Sequence, residues 1–147
     1  MVKMHKIVIN SCFGGYGLSP LAISKICKRK NIPCYIYVES DSDSSEYTKV
    51  SPTSKKLNGH WWRALNKDFG NVMNSEDISD EEYAFEDLPR HDKDLVAVVE
   101  ELGDKANGYC ADLKVVEINS NLYRIDAYDG AESVETPEDI DWIKLED

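Results

Sequence analysis

The run Cys12-Phe13-Gly14-Gly15-Tyr16-Gly17-Leu18-Ser19, followed by Pro20, holds the residues of this chain best suited to chemistry. Glycines at three of four successive positions let the main chain take positive φ and let another molecule approach it closely. Ser19 suits a helix N-cap and Pro20 the first helical position, so unpaired N–H groups would point back at the glycines. Such an end attracts anions, phosphate above all. Gly14, Gly15, Tyr16, Gly17 and Ser19 are therefore candidate contacts for a phosphate-bearing ligand. The dinucleotide pattern G-x-G-x-x-G is half met, because Gly15 and Gly17 fit but Pro20 stands in the third place. The P-loop pattern fails, since no Lys-Ser/Thr pair follows the glycines. Glu39, 22 residues after Gly17, falls near where a ribose-binding carboxylate sits in dinucleotide folds. The competing account is a turn whose glycines only pack a helix tightly against a sheet.

Cys12 is the other reactive group here, because it stands just ahead of a helix N-terminus that would favour its thiolate. His91, or alternatively His60, is the candidate base, on condition that the fold brings the two side chains together. A cysteine packed under the turn is the plainer alternative. No G-x-S-x-G or adjacent Ser-His-Asp pattern supports other hydrolase chemistry. The four cysteines show no C-x-x-C or Cys/His spacing, so no metal and no other cofactor is expected. Cys27 and Cys34 fall on apolar faces and read as small core residues.

To position these groups, the β-branched run from His5 to Asn10 reads as a buried strand, and Ala22, Ile23, Ile26 and Cys27 recur at helical spacing. Asn31 is a C-cap and Pro33 a stop, so Ile32 to Val38 reads as the second strand. Strand, helix and strand in this order predict a parallel β-α-β unit, with Cys12, the glycines and Glu39 all at the carboxyl edge where ligands bind.

Residues 41–88 read as an irregular insertion, rich in Ser, Asn, Lys and Gly and without a long period. Within it His60-Trp61-Trp62-Arg63 offers a stacking surface or a cover for the core, with His60 and Arg63 as polar candidates. Ser79-Asp80-Glu81-Glu82 resembles a capping box and predicts a short acidic helix. Arg90-His91-Asp92 then opens the clearest helix, with Leu95, Val98, Val99 and Leu102 as its apolar stripe and Gly103 as its stop. Arg90 joins the ligand-contact candidates, with surface pairing and capping as the simpler role. Residues 113–118 and 122–128 predict an antiparallel hairpin on the same sheet, Asp129-Gly130 a further turn, and Glu132 to Val134 a short third strand. A helix start at Thr136-Pro137 and a Trp142 anchor complete the tail. The expectation is thus a single α/β domain over residues 1–147 with α+β features.

Composition narrows the function classes. Net charge is −11, but residues 1–74 carry a net +6 and residues 75–147 a net −17. An acidic whole argues against direct nucleic-acid binding, which needs a basic surface. No apolar run approaches the ~18 residues of a membrane span, and the first residues lack a signal peptide's apolar region, so a cytoplasmic protein is expected.

Two stretches, Cys12 to Ser19 after Val8-Ile9-Asn10, and Arg90-His91-Asp92 running through Leu95 to Gly103 and on from Ala111 to Ile118, resemble a group of small uncharacterised proteins encoded by bacteriophages and prophages. The resemblance covers about a third of the chain and carries no established activity. It implies a phage gene product working in the cytoplasm of a host cell. Three functions follow as expectations. The first is binding of a nucleotide-like or other phosphate-bearing ligand at the glycine turn, sequestering a host defence signal. The second is an acidic module that mimics nucleic acid or inhibits a host protein. The third is a Cys12-dependent enzyme. Partners compatible with these are a small phosphate-bearing ligand, a host protein or a second copy of the chain.

Overall fold

The computed structural model describes residues 3–40, 45–139 and 143–145. It is a mixed α and β fold in which every described strand pairing is antiparallel. Strand β1 (His5–Asn10) leads through the glycine turn into helix α1 (Pro20–Lys30). Strands β2 (Tyr35–Glu39), β3 (Glu46–Val50), β4 (Trp62–Leu65) and β5 (Val72–Asn74) follow. Helix α2 (Lys93–Leu102) precedes β6 (Leu113–Ile118), β7 (Arg124–Tyr128) and β8 (Ala131–Glu135).

Both helices end as their local sequence dictates. The Ser19 hydroxyl accepts the Ala22 N–H, and Asn31 closes α1 in the left-handed conformation at φ 58°. The Asp92 carboxylate accepts the N–H groups of Asp94 and Leu95 at the start of α2, and Gly103 ends it. The helices run antiparallel, with Lys25 bonded to Glu101 at one end and Lys30 to Asp92 and Asp94 at the other. Arg29 Nε also reaches Asp94 at 3.1 Å. The basic end of α1 therefore meets the acidic start of α2, favourable to both helix dipoles. Beneath these pairs, Ile23, Ile26, Leu95, Val98 and Val99 pack with Val8, Leu18, Ile36 and Leu113 into the main core.

The strand-helix-strand order is present, but the expected parallel unit is not: β1 and β2 lie in different sheets. One edge of β1 pairs with β6 in register Ile7↔Val116. Its other edge is occupied without a strand, because Val8 N–H donates to the Arg90 carbonyl and Asn10 N–H to the Glu132 carboxylate, each at 2.8 Å. With those donors satisfied, β2 instead becomes an inner strand of a sheet ordered β4-β2-β3-β5. Three of its four strands come from residues 41–88, so that segment is not irregular; its strands are only three to five residues long and leave little periodic signal. Tyr37, Tyr47, Leu65 and Met73 form a second core there, and the buried Tyr37 hydroxyl donates to the Gly70 carbonyl at 2.7 Å.

The expected hairpin of residues 113–128 is also replaced. β6 pairs with β1, and β7 pairs with β8 across Asp129-Gly130. Both turn residues have positive φ, 49° and 88°, the geometry whose twist suits a two-residue hairpin. The anticipated third strand is thus β7's partner. Residues 81–83 form no helix: Asn66 N–H donates to the Glu81 carbonyl and Tyr83 N–H to that of Ala64, aligning the segment along β4. Trp142 lies outside the described residues. No helix among those described is long and apolar enough to cross a membrane.

Candidate functional site

The glycine turn is built around Asn10, a fully buried amide closing the buried Ile7-Val8-Ile9 run of β1. Its Nδ2 donates to the carbonyls of Cys12 at 2.8 Å and Gly130 at 2.7 Å, while Oδ1 accepts the Asp112 N–H at 2.8 Å. One side chain thus ties the turn to the segment before β6 and to the β7–β8 hairpin. A buried amide satisfied on both ends favours one geometry, since any shift leaves a polar group unpaired.

Three close main-chain approaches define what the glycines do. A Cβ on Gly14 would lie 2.2 Å from the Cys110 carbonyl oxygen, and one on Gly130 only 2.5 Å from the Gly15 nitrogen. One on Gly108 would lie 2.7 Å from the Gly17 carbonyl carbon. The contact at Gly17 is sealed by Gly108 N–H donating to the Gly17 carbonyl at 2.9 Å. The chain itself therefore occupies much of the space the glycines open. Gly15 differs: it takes φ 99°, and a Cβ there would meet nothing within 4 Å.

The start of α1 is likewise engaged internally. Ser19 N–H donates to the Ala106 carbonyl at 2.9 Å, and its hydroxyl donates to the Lys105 carbonyl at 2.6 Å while accepting the Ala22 N–H. Of the other candidates, Arg90 lies with its guanidinium 3.5 Å from the centre of the Tyr16 ring. It forms a two-pronged pair with Glu132, Nη1 to Oε1 at 2.6 Å and Nη2 to Oε2 at 2.9 Å. Burial alone would push the Glu132 carboxyl up, but the bonds from Arg90 and from the Asn10 N–H outweigh it and hold the group below its ordinary value. Arg90 is thus a structural clasp between β1, β8 and the approach to α2.

Glu39 belongs to the second sheet, paired with Tyr47 and donating its N–H to the Trp61 carbonyl at 2.9 Å. No described contact joins its carboxylate to the turn. The Cys12 thiol donates to the Cys110 carbonyl at 2.9 Å, whereas His91 Nδ1 bonds the Tyr123 hydroxyl at 2.8 Å. His60 Nδ1 faces the Asn58 carbonyl at 3.0 Å, and Arg63 pairs with Glu82 at 3.1 Å. No described contact forms a thiol–imidazole pair with Cys12. Among the described residues, no group of three or more His, Cys, Asp and Glu side chains converges as a metal site.

What the turn displays outward is aromatic. Phe13 is 68% exposed and Tyr128 74%, their rings meeting edge to face with centroids 6.4 Å apart. Tyr109, 94% exposed, sits between Gly108 and Cys110, the two residues that pack on the turn. Asn10, Glu132, Gly108, Tyr109 and Tyr128 were not marked by sequence reasoning; an amide ending a buried apolar run was the available signal for Asn10. Comparison with protein-family models, with curated proteins and with solved structures returned no match.

Proposed function

We propose that this protein binds another protein through the aromatic face that the glycine turn displays. The observation that carries it is the exposure of Phe13, Tyr109 and Tyr128 on backbone fixed by close main-chain contacts and the Asn10 bonds. Aromatic side chains on a rigid support supply large contact area at low entropic cost, and such residues dominate binding energy at protein interfaces. The surplus of carboxylates in residues 75–147, which contribute Tyr109 and Tyr128, favours a partner with a basic surface. The phage resemblance makes a bacterial host protein the natural partner, with inhibition of its nucleic-acid site as the consequence.

A small phosphate-bearing ligand is the second reading, favoured by the open space beside Gly15 at positive φ. One comparison separates the two. Affinity capture from bacterial lysate with wild-type protein and with a Phe13→Ser/Tyr109→Ser/Tyr128→Ser variant identifies the partner, which is then purified and titrated. Loss of its affinity by about 100-fold in the folded variant supports the protein-binding proposal, since two or three exposed anchors carry that much. Unchanged affinity, together with a thermal shift on adding nucleotides, overturns it in favour of the small ligand.

A further inference from the structure

Cys27 and Cys34 are not used by the glycine turn, yet the fold brings them together. Cys27 lies on the last turn of α1, fully buried, and Cys34 precedes β2. Between them the chain reverses: Asn31 takes the left-handed conformation, and Ile32 N–H donates back to the Cys27 carbonyl at 3.0 Å. This closure of the helix end brings Cys34 back against the core cluster that contains Cys27. Both sulfur-bearing residues then line one open cleft of about 510 Å³, together with Ser24, Lys28, Asn31 and Pro33. Lys25, Arg29 and Lys30 are committed to the acidic face of α2, whereas Lys28 is turned to this cleft.

The two thiols differ in setting. Cys34 is half-buried and Cys27 is not exposed at all. The neighbouring thiol pulls Cys34 down against its own burial and pushes Cys27 up, and burial pushes Cys27 further. The sulfur reached from the cleft is therefore also the readier thiolate, which is the division of labour between an attacking and a resolving cysteine.

We propose that Cys34 and Cys27 form a reversible dithiol–disulfide site that reacts with hydrogen peroxide entering the cleft. The Cys34 thiolate attacks one peroxide oxygen; the S–O bond forms, the O–O bond breaks, and the departing oxygen leaves as water after taking a proton. Cys27 then attacks the Cys34 sulfenic sulfur; the S–S bond forms, the S–O bond breaks, and hydroxide leaves with the Cys27 proton as a second water. Two thiols are oxidised by two electrons and one peroxide is reduced to two waters. A low-molecular-weight thiol reverses the step by exchange. The disulfide staples the C-terminus of α1 to the entry of β2, beside Pro33, whose carbonyl accepts the Tyr83 hydroxyl.

The test is treatment of the folded full chain with hydrogen peroxide, followed by peptide mapping. The expected product is a Cys27–Cys34 crosslinked pair lacking two hydrogens and restored by dithiothreitol. In Cys27→Ala, Cys34 sulfenic acid loses its resolving partner, and its trapping by dimedone should rise about tenfold over wild type. In Cys34→Ser, whose substituted position is only half-buried, neither crosslink nor Cys27 adduct should form. Wild-type protein that gives no Cys27–Cys34 crosslink, or a Cys34→Ser variant in which Cys27 is oxidised as fast as before, would overturn the proposal.

Discussion

Changing Glu132 to Gln removes the charge that faces Arg90 while keeping the side chain's size. The Arg90 side chain is 16% exposed and that of Glu132 only 9%, so solvent cannot replace the lost partner. Breaking a buried pair from one side costs about 3–5 kcal/mol, because the remaining charge is left uncompensated. Here Arg90 keeps its place on the Tyr16 ring and a 3.3 Å bond to the Val8 carbonyl, and Gln still offers one acceptor oxygen. The lower end, about 3 kcal/mol, is therefore expected. Urea unfolding at pH 7 measures it as a shift in midpoint at unchanged slope. Arg90→Met with Glu132→Leu should recover only part of the loss, since replacing both partners removes the desolvation cost of the charges but leaves the Asn10 N–H without its acceptor. The pH dependence carries a definite sign. The folded Glu132 carboxyl is held below its ordinary value, so its contribution is present above the unfolded value of about 4.3 and disappears as pH falls through the folded one. Wild type should therefore lose stability faster than Glu132→Gln on acidification. A single variant costing less than about 1 kcal/mol, the scale of a surface pair, would refute the clasp.

The glycines separate by geometry: Gly14→Ala should prevent normal folding because its Cβ would strike the Cys110 carbonyl at 2.2 Å, whereas Gly17→Ala, with its nearest neighbour at 3.9 Å, should stay folded by circular dichroism. Gly15→Ala lies between, losing about 1–2 kcal/mol to its positive φ, measurable by urea titration. Asp94→Asn should lower the melting temperature at neutral pH, since Lys30 foremost, and Arg29 with it, hold the Asp94 carboxyl low against its burial. That difference from wild type should shrink as pH falls through the folded Asp94 value, where the wild-type carboxylate is protonated too. Tyr128→Ser should leave the melting temperature nearly unchanged, the side chain being 74% exposed, while weakening the partner complex in a binding titration.

Local features were legible in the sequence and partner choice was not. Ser19, Asn31, Asp92 and Gly103 act within one helical turn of themselves, two through side-chain oxygens and two through backbone at positive φ, so local chemistry placed both helices correctly. The Asp129-Gly130 turn was visible for the same reason. The strand that β1 takes, however, depends on Arg90 and Glu132, 82 and 122 residues from their β1 contacts. Nothing in the local period of Ile7, Val8 and Ile9 specifies that a carbonyl and a carboxylate cap that edge. At the turn, three glycines in four positions pointed to the approach of another molecule, whereas the close approaches the fold shows are made by the chain's own Gly108, Cys110 and Gly130, far along the sequence. The acidic stretch and the basic helix end made sense only together, as the ion pairs joining α1 to α2.

The most direct measurement places a photo-crosslinking phenylalanine derivative at Tyr109 and, as a control, at Trp61, which is 78% exposed beside the second sheet. With the captured partner present and irradiated, position 109 should yield the covalent complex and position 61 should not. Equal crosslinking at both positions, or crosslinking at 61 with none at 109, would contradict binding through the aromatic face of the turn.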